Sequence, residues 1–179
     1  VKGLDTEQKR VITNKGFLDY DAVVIASGSR TNFFGNNQLR ENAFKLREIS
    51  DAIELRTRLI SNFEDAIQAE DDAELEQYMN IVIVGAGPTG VELAGAIGEL
   101  KNHVLPKDYP ELDFKKLKIW LIEGTEKVLG TMSDISGKRA KRYLKKFGVR
   151  VLLGKFVDTY EDGVVRLSDQ KEIKTQCLI

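Results

Sequence analysis

Apolar positions in this chain fall into runs of distinct rhythm. Ile81-Val82-Ile83-Val84, Leu117–Ile122 and Val149–Leu153 are continuous or nearly so and rich in β-branched side chains. That is the pattern of parallel strands buried on both faces. Helical stretches separate them. One follows Val84. The other spans about Ile135–Phe147, with Ser133 and Asp134 able to cap its start and Gly148 to stop it. Upstream, Ile49, Ala52, Ile53, Arg56, Leu59, Ile60, Phe63, Ala66 and Ile67 recur at helical period. They predict a helix capped by Ser50, running to about Ala69 and burying that stripe. The acidic segment Glu70–Glu76 reads as a solvated connection into the strand at Ile81. Asn102–Lys116, with Pro106, Pro110 and several charges, reads as a loop or broken helix.

The chain's two ends share a second rhythm. Val1–Leu4, Lys9–Thr13 and Tyr20–Ala26 read as a meander followed by a buried strand that closes on Ser27-Gly28. Phe156–Tyr160 and Val164–Leu167 alternate as a hairpin around Glu161-Asp162-Gly163. Lys171–Thr175 completes that meander, and Gln176–Ile179 begins another apolar strand. The expected fold is α/β: a Rossmann-like parallel sheet with a β-meander crossover, its first strand central and next to the second because such crossovers are right-handed. The repeat implies two nucleotide-binding domains. The first copy lacks its glycine-loop half, and the second stops before the small-residue turn expected after Ile179. The chain is therefore expected to start and end inside larger units. Its parts are residues 1–31, residues 32–79 as a connecting segment with an amphipathic helix, and a C-terminally truncated domain over residues 80–179.

The candidate chemistry sits where the first buried strand ends. Gly85, Gly87 and Gly90 supply G-x-G-x-x-G between a strand and a helix. The first glycine permits the turn, the second lets backbone amides reach a pyrophosphate, and the third brings the helix close. Amides around Ala86, Gly87, Pro88, Thr89 and Gly90 would hold the pyrophosphate at the helix N-terminus. Gly90, Ala94 and Gly98 keep a small-residue face along that helix. Thr89-Gly90-Val91-Glu92 also fits a capping box. An acidic residue should end the second strand and accept hydrogen bonds from the adenine ribose. Glu123 stands there, followed by Gly124. No arginine is adjacent to meet a 2′-phosphate, so the pattern favours NAD over NADP.

Composition narrows the field further. A formal charge of −1 and an isoelectric point near 6.0 point to neither nucleic acid nor an anionic membrane surface. One cysteine, Cys177, and one histidine, His103, leave no disulfide framework and no ligand set for a metal. Cys177 reads as a core thiol and His103 as exposed. The basic run Lys138, Arg139, Lys141, Arg142, Lys145 and Lys146 reads as the wet face of a helix whose dipole it complements.

GAGPTGVELAG, preceded by YDAVVIASGSRTNFFG and followed by a strand ending IWLIEG, resembles the type II NADH dehydrogenases, single-subunit flavoprotein NADH:quinone oxidoreductases. The Pro88–Glu92 variant of the loop and the run Thr31–Gly35 carry the resemblance more specifically than the fold does. It implies a glutathione-reductase-type NAD-binding domain inserted in an FAD domain, with residues 1–31 as a remnant of the FAD-domain meander. Ala26-Ser27-Gly28 resembles that domain's Ala-Thr-Gly turn, with serine for threonine. It implies NAD(H) as the cofactor of this piece and FAD in the intact enzyme. Hydride would pass from NADH to flavin and electrons on to a quinone, with Glu92 near the nicotinamide and flavin. The parent is expected to be cytoplasmic and peripheral on the cytoplasmic face, meeting the membrane only through C-terminal segments that have no counterpart here. Ferredoxin or disulfide reductases of the same superfamily, and a non-catalytic NAD-binding module, are the alternatives.

Overall fold

The structure, a computed structural model, describes residues 1–28, 30–33 and 35–179. It separates into two compact units, residues 1–31 and 32–179.

In the first unit β1 (Gly3–Asp5), β2 (Arg10–Thr13) and β3 (Gly16–Asp19) form an antiparallel meander. The Asp5 carboxylate starts the first turn by accepting from the amides of Glu7 and Gln8, as aspartate does in turns. Across β2 and β3, Arg10 Nε meets Asp19 Oδ1 at 2.8 Å. The third strand, which begins at the positive-φ Gly16, was not anticipated. The expected buried strand over Tyr20–Ala26 is absent. Residues 22–28 join no ladder, and Val24 and Ile25 are 88% and 76% exposed. β-Branched side chains favour a strand through cross-strand packing, and among the described residues this run has no partner strand.

The second unit opens with α1 (Asn37–Asn42), capped by Asn36, whose side chain accepts from the Leu39 amide at 3.1 Å. The Phe44 amide then donates to the Leu178 carbonyl at 2.8 Å. Helix α2 spans Ile49–Ile67. Its start is fixed by Asp51, whose carboxylate accepts from the amides of Arg47 and Glu48, so Glu48 is the cap in place of Ser50. Its buried residues are Leu55, Asn62, Phe63 and Ala66, whereas Ile49 is 82% exposed and Ile53 and Ile67 also face solvent. The contact face is turned by roughly a quarter turn, at 3.6 residues per turn, from the isoleucine stripe that predicted it. The acidic connection is also more ordered than expected. Asp71 caps α3 (Asp72–Tyr78) by accepting from the amides of Ala73 and Glu74.

The sheet follows as predicted. β4 (Asn80–Val84), α4 (Pro88–His103), α5 (Leu105–Asp108), β5 (Lys118–Glu123), α6 (Asp134–Lys146) and β6 (Val149–Leu153) alternate along the chain. Ser133 caps α6 and Gly148, at φ +78°, follows its end. Then β7 (Val157–Glu161), β8 (Val164–Leu167) and β9 (Glu172–Lys174) form an antiparallel meander leading to β10 (Cys177–Leu178). The parallel sheet has the order β10-β4-β5-β6, with Ile81 between Cys177 and Ile119, and Ile119 beside Val149. Asp162 and Gly163, at φ +49° and +73°, turn the β7–β8 hairpin as a two-residue loop with both residues left-handed.

Alternation along the strands divides the core in two. Ile81, Ile83, Ile119 and Leu121 pack with Phe63, Ala94, Ile97 and Leu144 of the helices. Val82, Trp120, Ile122 and Leu178 pack with Tyr160, Val165, Leu167 and Ile173 of the meander. The sheet is the middle of three layers, so its strand ends are where a ligand can reach the backbone. Among the described residues no helix is long and apolar enough to cross a membrane.

Candidate nucleotide-binding site

The site is built on the carboxyl ends of β4 and β5. Gly85 leaves β4 at φ +101° and donates its amide to the Ile122 carbonyl at 2.7 Å. Ala86 is buried and held at both polar atoms. Its amide donates to Glu123 Oε2 at 2.8 Å, and its carbonyl accepts from the Leu129 amide at 2.8 Å. Gly87 caps α4 with Pro88 in the first turn. A side chain on Gly87 would meet nothing within 4 Å, so the space over the helix start is open. Thr89 and Gly90 lie in the first turn, where amides have no intrahelical acceptor, and among the described residues the helix start has no side-chain cap. The arrangement therefore fits a phosphate anion.

The capping box expected from Thr89 to Glu92 does not form. With Gly87 as the cap, Thr89 already lies inside the helix and Glu92 is too far along to reach the cap amide. The small-residue face is confirmed. A Cβ at Gly90 would collide with the Gly85 carbonyl oxygen, Ala94 is fully buried, and a Cβ at Gly98 would lie 2.7 Å from Phe147 Cβ. Glu92 is exposed and lines a groove between α4 and α6 with Tyr143 and Phe147.

Glu123 is half-buried at the end of β5. One carboxylate oxygen takes the Ala86 amide and the other the Thr125 amide, each at 2.8 Å. A carboxylate has about four acceptor sites, so it keeps capacity for a hydroxyl donor. The Ala86 amide, by contrast, is already engaged, which leaves Gly87, Thr89 and Gly90 as the amides oriented for an anion. A side chain on Gly124 would strike the Phe156 ring, which is 62% exposed. Sequence reasoning did not single out Phe156 or Leu129. A bulky aromatic directly after Gly154-Lys155 was the available signal for the first; a contact made through a backbone amide leaves none for the second.

The structure thus brings together Gly85–Gly90, Glu123 and Gly124. Ala26, Ser27 and Gly28 belong to the other unit, where all three are exposed and Gly28 has φ +73°. Trp120 lies on the opposite sheet face from Glu123, in the meander layer. Its indole donates to Asn80 Oδ1, and the cationic groups of Lys171 and Arg150 lie 4.3 and 4.8 Å from its ring. Cys177 is buried, and desolvation pushes its thiol up to about 12. His103 is exposed, and so is the basic face of α6.

The chain is similar to known proteins along most of its length. The chain is 34% identical over 164 residues to the type II NADH:quinone oxidoreductase Ndh of Mycobacterium tuberculosis, covering 89% of this chain and 35% of that protein. It is 32% identical over 146 residues to the external alternative NAD(P)H-ubiquinone oxidoreductase B3 of Arabidopsis thaliana mitochondria, covering 81% and 25%. The structure of NDH2 from Plasmodium falciparum in complex with NADH superposes with a TM-score of 0.80 at 24% identity, over 97% of this chain and 37% of that one, which is a likeness of fold. The chain spans about a quarter to a third of the length of these relatives. The family profile described as pyridine nucleotide-disulphide oxidoreductase matches residues 1–179, and the chain belongs to that family.

Proposed function

We propose that this chain is the NAD(H)-binding part of an FAD-dependent NADH dehydrogenase. In that reaction hydride passes from NADH to the flavin, which carries the redox chemistry, and electrons pass on to a quinone. The observation that carries the reading is the open space over Gly87, faced by the first amides of α4 and adjoined by the Glu123 carboxylate. The pyrophosphate rests on the amides of Gly87, Thr89 and Gly90, with Gly85, Ala86 and Pro88 shaping the turn. Glu123 accepts from the adenine ribose hydroxyls, a charge-assisted contact worth about 1.5–3 kcal/mol. It disfavours the 2′-phosphate of NADPH. The exposed Phe156 ring beside Gly124 offers the adenine an apolar face. Glu92 stands on the nicotinamide side and orients that ring.

Residues 80–179 form the NAD-binding domain, residues 32–79 the connection, and residues 1–31 an FAD-domain segment whose Ala26-Ser27-Gly28 turn contacts the flavin in the whole protein. The names of the similar proteins support quinone as the final acceptor, and the whole protein works at the cytoplasmic face of a membrane.

Fluorescence titration tests the reading. NADH should quench Trp120 emission by energy transfer across the sheet, saturably and at lower concentration than NADPH. The purified chain should be colourless and should reduce no quinone. Absence of saturable quenching would remove the nucleotide site, and a flavin spectrum would overturn the domain boundaries.

A further inference from the structure

A second concavity lies beyond the nucleotide site, between the segment that follows β5 and helix α6. It encloses about 270 Å³, just under the range of about 300–1,000 Å³ usual for small-molecule sites. None of Gly85–Gly90, Glu123 or Gly124 lines it. Its floor is apolar: Val128, Leu129, Met132 and Leu153, with Met132 49% exposed. Gly137 lets α6 approach that floor, since a Cβ there would lie 2.5 Å from the Val128 carbonyl oxygen.

The rim is cationic. Lys127, Lys138 and Lys141 stand around the opening, with Glu126 and Asp134 as the acids. Lys127 is committed to Asp134, Nζ to Oδ1 at 2.8 Å. The Glu126 carboxylate lies against Gly154. Lys138 and Lys141 sit three residues apart on one side of α6 and form no ion pair among the described residues. Three lysines face two acids, with the Asp134 carboxylate interacting with both Lys127 and Lys138, so a rim of net positive charge stands over an apolar floor.

We propose that this cavity binds a small organic carboxylate with an apolar body. Each half of the site is weak alone. An exposed ion pair contributes little in water, and a shallow apolar floor holds a neutral ligand only in proportion to the area it covers. A ligand carrying both features uses both, and its carboxylate accepts from Lys138 and Lys141 while its body covers Met132 and Leu153.

Methyl-detected NMR titration of the whole chain with benzoate, against benzyl alcohol as the neutral analogue, tests this. Benzoate should shift the Met132 and Leu153 methyl signals saturably, and benzyl alcohol should bind at least tenfold more weakly. Lys138→Glu/Lys141→Glu should weaken benzoate at least tenfold, and Lys138→Gln/Lys141→Gln by a smaller factor. If the first double variant does not fold, the second carries the same comparison. Equal binding of the two probes, non-saturable shifts, or unchanged benzoate binding in the folded variants would overturn the site.

Discussion

On the proposed reading Glu123 does two jobs that a single substitution separates only partly. Its carboxylate ties the glycine turn to β5 through the Ala86 amide and still offers acceptor sites to a ligand. Glu123→Gln keeps an acceptor for one amide but loses the charge. It should weaken NADH by about 1 kcal/mol or more and narrow the preference over NADPH. Glu123→Ser should lose both functions and also lower the melting temperature. Paired titrations with both nucleotides check this; an unchanged preference would remove Glu123 from ribose recognition. Asn62 poses the opposite question. Its side chain is buried on α2, and among the described residues neither its Oδ1 nor its Nδ2 has a hydrogen-bond partner. Leaving such groups unsatisfied costs about 1–3 kcal/mol. Asn62→Leu should therefore raise stability by about 1 kcal/mol or more in urea unfolding. A loss would show that the amide meets a polar partner such as an internal water.

At the scale of elements, α2 shows what pattern reading captures and where it fails. The helix was legible from period alone, but the period does not tell which side of it meets the core. Phe63 and Ala66 of the expected stripe are buried, but its isoleucines at 49, 53 and 67 face solvent, and Leu55, outside the stripe, is buried in their place. Likewise α3 was hidden by acidic composition, although Asp71 is a good N-cap and acids suit a first turn. The strand–turn–helix unit around Gly85 and the Asp162-Gly163 hairpin were legible because local chemistry alone dictates them. The start of α2 gives a further prediction. Amide hydrogen bonds from Glu48 and Arg47 hold the Asp51 carboxyl below its ordinary value. The stability this cap adds is present above pH 3.8 and is lost as pH falls through the lower folded value. Asp51→Ala should speed amide exchange at Arg47 and Glu48 at pH 6, and the difference from the parent chain should vanish in acid.

Across the whole molecule, the three-layer order was legible from the alternation of continuous and periodic runs, and the fate of residues 20–26 was not. A run of β-branched residues specifies strand propensity but not the neighbour that must pair with it. Cys177, at the centre of the sheet's β10 edge, reports on global unfolding. Its thiol is raised from 9.0 to about 12 by burial, so the unfolded chain ionises first as pH rises. Stability from this residue is intact below pH 9 and is lost progressively towards pH 12. Urea unfolding at pH 8 and 10.5 should show an alkaline loss that Cys177→Ala reduces by about 2 kcal/mol. A thiol reagent should react only at the rate of unfolding.

The pairing of Cys177 with Ile81 and of Leu178 with Val82 sets a timetable as well as a topology. β4 needs a neighbour that is translated roughly 95 residues later. At about 5–20 residues per second, one edge of the most apolar strand waits some 5–20 seconds on the ribosome without its cover. The meander that delivers β10 is thus also a delay. During that interval the strand's free amides and carbonyls are available to any other extended segment.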